Sequence, residues 1–157
     1  MTVLLKLSEL GGEPHLDQLL DVLRQVPDGF TTRRNKVWVG DKEEDGWMLE
    51  AEGYGIDVQP DMRCGFSEHG DGKVLTAITG RIGETGSHML LSNARVERPT
   101  PQVTYWVEVE WRVSILLGVF LPNGEENRRA GQMGIGAASN PGTAALIAYL
   151  KAWGVVE

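Results

Sequence analysis

The sequence predicts an α+β fold: an antiparallel meander sheet of five or six strands, with an N-terminal helix and a C-terminal helix packed on it. Three observations carry that prediction. Between residues 103 and 115, apolar residues alternate strictly with polar ones. Before Pro27 and after Asn140, apolar residues recur instead at three- and four-residue spacing. Between these ends lie short period-two runs punctuated by Gly-containing turns, so helices flank a run of strands.

In chain order, residues 3–7 form a candidate edge strand ended by Gly11 and Gly12. The first helix follows. Pro14 suits a first helical position, Leu16, Leu19, Leu20, Leu23 and Val26 make one stripe, and Pro27, Asp28 and Gly29 stop it. Its other face is polar (Asp17, Gln18, Asp21, Arg24, Gln25), which fits a helix lying on a sheet. From Lys36 the period becomes two. Residues 37–39 predict a short strand, and the acidic run 41–45 between Gly40 and Gly46 predicts a turn. Trp47, Leu49 and Ala51 then alternate with Met48, Glu50 and Glu52, and Ile56 and Val58 resume a strand after Gly53 and Gly55. Residues 60–72 read as loop, with a short strand accommodated over 62–66. Residues 73–82 read as a strand with Val74, Thr76, Ile78 and Ile82 on one side; 83–86 as a turn; and 88–96 as a strand.

Pro99 and Pro101 precede the clearest element. Val103, Tyr105, Val107, Val109, Trp111, Val113 and Ile115 point one way, while Thr104, Trp106, Glu108, Glu110, Arg112 and Ser114 point the other. No helix produces that pattern. Leu116, Leu117, Val119, Phe120 and Leu121 continue it, apolar on both faces, with Gly118 placed for a bulge or bend and residues 122–124 (Pro-Asn-Gly) for a turn. The Gly131–Gly136 segment reads as a tightly turning or flexible connection. A phosphate-binding role is not met, because no Lys-Ser/Thr pair follows and no βαβ unit surrounds it. Low bulk also suits such a segment to packing against a neighbouring subunit. The last helix has an N-cap residue in Asn140, Pro141 in its first turn, Ala145, Leu146, Tyr149, Leu150 and Trp153 on its apolar face, and Gly154 where a left-handed C-cap is needed.

At 157 residues the chain has the usual length of a single domain, and its 41% hydrophobic and 24% charged residues are ordinary globular values. The longest apolar run, residues 115–121, is far short of the roughly 20 a membrane-spanning helix needs, and the opening MTVLLKL does not read as a signal peptide. No membrane association is expected, and a cytoplasmic or virion location fits. One cysteine, Cys64, excludes an intramolecular disulfide and a Cys-rich zinc site. Its nearest basic neighbour, His69, sits five residues on in a Gly- and Asp-containing turn, so Cys64 reads as a plain half-buried thiol.

A formal net charge of −7 disfavours general nucleic-acid binding, which rests on Lys and Arg contacts to phosphate. Two short basic groups stand out locally, Arg33, Arg34 and Lys36 in one place and Arg128 and Arg129 in another. His15, His69 and His88 show no metal-ligand spacing, and no nucleophile elbow or triad order appears. No catalytic residue, cofactor or metal is assigned.

The most informative constellation is the polar face of the long strand. Glu108, Glu110 and Arg112 follow one another at two-residue spacing, roughly 7 Å apart, on the same face as Trp106. Two carboxylates so placed can act as acid and base, hold a cation, or pair with Arg along a solvated sheet. An aromatic among charges is characteristic of an interface anchor. These four residues are the candidate binding site.

The order of features from residue 73 to residue 118 loosely resembles phage single-strand annealing proteins of the essential recombination function family. The features are a Thr-bearing strand, Gly83-Glu-Thr-Gly86, Gln102-Val-Thr-Tyr105 and Leu116-Leu-Gly118. The resemblance covers under a third of the chain and implies single-stranded DNA annealing; outside that stretch, Arg33, Arg34, Lys36, Arg128 and Arg129 are the basic residues that would serve it, with aromatics as stacking surfaces. The family's Thr-Tyr segment is helical and Arg-rich, whereas here it lies in a period-two run with two Glu, and no membership is assigned. The strand–turn–helix ending equally resembles a helix-grip ligand-binding fold, which would turn Glu108, Glu110 and Arg112 inward under the last helix. The leading expectation is a non-catalytic assembly or binding module acting through protein–protein surfaces, such as a small phage tail or neck component. Its partners would be copies of itself or other proteins in a larger assembly.

Overall fold

In the computed structural model, which describes residues 6, 16–26, 31–39, 41–51, 54–58, 71–98, 106–121 and 123–157, nine elements follow one another. They are α1 (Leu16–Leu23), β1 (Thr31–Val39), β2 (Lys42–Ala51), β3 (Tyr54–Val58), α2 (Asp71–Glu84), β4 (His88–Arg98), β5 (Trp106–Leu116), β6 (Met133–Ala138) and α3 (Pro141–Ala152). The fold is α+β. Its described strands form two three-stranded antiparallel sheets, β1-β2-β3 and β4-β5-β6, in place of one continuous meander. The expected strands at 3–7 and 62–66, and residues 103–105 of the long strand, lie outside the described residues.

The core is organised by α3. Every residue from Pro141 to Leu150 is buried, and so is Ala152. A helix that is apolar all round must be enclosed on all sides, and this one lies against β5 and β6 on one side and α1 and α2 on another. Leu19, Leu20 and Leu23 of α1, Val74 and Ile78 of α2, Val113 and Ile115 of β5, and Leu146 and Leu150 of α3 share this core. Each such side chain contributes about 1.5–3 kcal/mol of burial.

Both ends of α3 follow from local sequence. Asn140 takes the extended N-cap backbone and Pro141 occupies the first turn, although the Asn140 side chain makes no capping bond. At the other end Gly154 has φ +75°, its N–H donates to Lys151 O, and Val155 N–H donates to Leu150 O. That pair of bonds is a Schellman cap, and it requires the left-handed residue that Gly supplies. The nearby Arg129 Nε donates to Ala152 O at 3.0 Å, placing a cation where the helix dipole is negative.

Three sequence expectations are corrected. Residues 73–82 are helical, within α2, not a strand. Val74, Ala77, Ile78, Arg81 and Ile82 are the buried positions, and Thr76 is exposed. Val74, Ile78 and Ile82 recur every four residues, a spacing that satisfies a strand and a helix alike. The β-branched threonines are accommodated because Thr76 Oγ1 donates to Gly72 O and Thr79 Oγ1 donates to Leu75 O. Of the acidic run 41–45 only Asp41 lies in a turn: Val39 pairs with Lys42, and Glu43, Glu44 and Asp45 belong to β2.

The third correction concerns the Gly-rich segment, which forms strand β6 and not a connection. Gly131 has φ +83°, its N–H donates to Leu117 O, and Leu117 N–H donates to Gln132 O. Two residues thus oppose one, a bulge led by a left-handed Gly that sets the register of β6. Gly134, Gly136 and Ala138 then face α3. A Cβ on Gly134 or Gly136 would collide with the α3 backbone at Ala148 and Ala144. Bare glycine lets the helix pack unusually close to the sheet.

Candidate functional site

Because α3 lies against one face of β5 and β6, the side chains on the other face of the β4-β5-β6 sheet look outward. Antiparallel register sets them in rows. His88, Leu116 and Met133 make one row, Leu90, Ser114 and Ile135 the next, and Ser92, Arg112 and Ala137 the third. Leu90 is 69% exposed, and Met133 and Ile135 are each 58% exposed. Just past the end of β5, Val119 and Phe120 are each 57% exposed. Large apolar side chains gathered this way are unusual on a free surface and mark contact sites.

The hairpin that carries Val119 and Phe120 is held by Asn127, which is buried. Its Nδ2 donates to Gly118 O at 3.0 Å, and its Oδ1 accepts from Arg129 N–H at 2.9 Å. Gly118 is in turn fixed by Ser87, whose Oγ accepts the Gly118 N–H at 2.8 Å. These bonds tie both ends of the hairpin to its surroundings, so Phe120 is presented from an ordered support.

The expected binding residues on β5 fall at the border of this face. Arg112 Nε and Glu110 Oε1 are 3.6 Å apart, with Arg112 more than half exposed and Glu110 partly covered. They stand on the side opposite Val113 and Ile115, hence away from α3 and not in a cavity beneath it. At that distance and exposure the pair adds a few tenths of a kcal/mol at most. It forms a polar edge to the apolar rows. The backbones of Trp106 and Glu108 pair with Arg98 and Val96, and their side chains lie outside what the structure describes.

The basic residues have different fates. Arg33, Arg34 and Lys36 are on β1, opposite Met48, Trp47 and Asp45 of β2 respectively, and Lys36 is exposed. Arg128 is exposed, but Arg129 is committed to the end of α3, with its guanidinium lying against Gly154. The paired arginines therefore do not act as one surface unit. Among the described residues, no group of three or more His, Cys, Asp or Glu could hold a metal ion, and no helix is long and apolar enough to cross a membrane.

Leu90, Met133 and Ile135 were not singled out by sequence reasoning. The signal for two of them was present: Met133 and Ile135 alternate with Gly134 and Gly136, a period-two pattern in which glycine takes the inner position. No family model, curated protein or solved structure matches the chain.

Proposed function

We propose that this chain is an assembly module that works by protein–protein contact through the outer face of the β4-β5-β6 sheet. The observation that supports the reading is the exposure of Leu90, Met133 and Ile135 in adjacent rows, with Val119 and Phe120 beside them. Burying such side chains contributes about 25 cal/mol per Å² of apolar surface, which gives this face a standing drive to be covered. The Glu110–Arg112 pair at its border fits the polar rim common to protein interfaces.

Light scattering coupled to size exclusion, over a wide concentration range, tests the reading. The wild type is expected to associate, and the double variant Leu90→Glu/Phe120→Glu to lose the part of that association made through this face while keeping its circular dichroism spectrum. A strict monomer at the highest concentration, with no association that these residues control, would remove the proposal.

A further inference from the structure

We infer that a second copy of this chain docks on the free edge of β6, pairing β6 with β6 about a two-fold axis to make a continuous six-stranded sheet. The inference rests on the assembly reading and adds an edge contact to it: joining β6 to β6 merges the outer faces of two copies into one surface, which stays open to be covered. The free edge follows from the register. Leu117 N–H donates to Gln132 O, so the ladder bonds of β6 toward β5 recur at Gly134, Gly136 and Ala138. The backbone N–H and C=O groups of Met133, Ile135 and Ala137 therefore point to the other side, where β6 is the outermost of the described strands of its sheet.

Edge strands are ordinarily protected by charge, proline, bulges or shortness. β4, the opposite edge, carries Arg95, Glu97 and Arg98 in its sequence. β6 has no ionisable residue and no proline across its six residues, and its bulge at Gly131 lies before the strand begins. Nothing within β6 itself blocks pairing.

Charge selects the occupant. With a net charge of −7, two copies repel one another over most approaches. From residue 130 to residue 150 the chain contains no Asp, Glu, Lys or Arg, and β6 is the strand inside that stretch. On this strand like can meet like with no charged side chain of the strand opposing its copy. Antiparallel pairing is also self-complementary, as a two-fold interface must be. Centred on Ile135, it sets Ile135 against Ile135 of the second copy and Met133 against Ala137, with about six backbone hydrogen bonds. The apolar rows of the two copies then run together across the junction.

The test is cross-linking in a Cys64→Ser background. In a bonded antiparallel pair the two Cα atoms lie about 5.5 Å apart, within disulfide range. Ile135→Cys is expected to form a disulfide dimer on mild oxidation. Leu90→Cys is expected to remain monomeric on denaturing gels, because five strand spacings put the two copies about 24 Å apart. Ala137→Pro, which removes an N–H directed away from β5, is expected to raise the dissociation constant at least tenfold. Cross-linking at Leu90 but not at Ile135 overturns edge pairing and leaves the assembly reading standing on a face-to-face contact. Association abolished by Leu90→Glu/Phe120→Glu but untouched by Ala137→Pro has the same meaning. A wild type that never associates removes both. Should Ala137→Pro fail to fold, the Ile135 and Leu90 cross-links decide alone.

Discussion

Adding one methyl group at Gly136 should destabilise the fold, while the same change at Gly83 should not. A Cβ on Gly136 would lie 2.7 Å from the Ala148 nitrogen and 3.0 Å from Ile147 Cβ, and would also meet the Ala144 carbonyl oxygen. The first and last are helix backbone, which cannot turn aside. Ordinary van der Waals contact begins near 3.4 Å, so α3 must retreat by roughly 0.7 Å or more, enough to forfeit a quarter to a half of each dispersion contact on that side. Overpacking of this kind costs about 1–3 kcal/mol, and the rigid backbone places Gly136→Ala near the upper end. The reduced freedom of the unfolded chain returns about 0.5 kcal/mol, leaving a net loss of about 2–2.5 kcal/mol. For a domain this long, that lowers the melting temperature by about 5–10 °C. Gly83, in α2, has nothing within 4 Å of its Cβ position. There Gly→Ala should stabilise by about 0.5 kcal/mol through helix propensity. Urea unfolding followed by circular dichroism measures both. A Gly136→Ala midpoint indistinguishable from wild type, or shifted the same way as Gly83→Ala, would refute the close apposition of β6 and α3.

Other substitutions probe separate parts of the scaffold. Asn127→Ala removes the partners of Gly118 O and Arg129 N–H and should cost about 2–3 kcal/mol in urea unfolding, because the groups left behind are partly or fully buried. Arg129→Met keeps the aliphatic stem but loses the bond to Ala152 O, and should cost about 1–2 kcal/mol by the same measurement. Arg112→Ala removes only an exposed pair at 3.6 Å and should change stability by less than about 0.5 kcal/mol; a larger loss would show that Arg112 holds the sheet together.

What the sequence revealed, and what it hid, follow from how unambiguous each pattern is. Trp111, Val113 and Ile115 against Arg112 and Ser114 have one solution, a strand with Val113 and Ile115 inside, and β5 has that form. Gly154 ends α3 because a left-handed residue is chemically identifiable. Val74, Ile78 and Ile82 had two solutions, and the β-branched Thr76 and Thr79 pointed toward the wrong one until their hydroxyls found carbonyls one turn back. β6 was hidden because its inward positions are glycines, which carry no hydrophobic signal. The outer face was hidden with it. In the run Met89-Leu90-Leu91 nothing distinguishes the exposed Leu90 from Met89, which packs on the core; the distinction comes only from register with β5.

The central position of α3 also has a consequence in time. α1, α2, β5 and β6 all pack against a helix that follows every one of them along the chain. During synthesis, then, none of these elements can complete its packing until residues 141–153 have left the ribosome, and until that moment their apolar surfaces lie open. Formation of this core should therefore be late and concerted. A nascent chain halted at residue 140 should stay protease-sensitive in α1, α2, β5 and β6, with resistance there appearing in one step as α3 emerges.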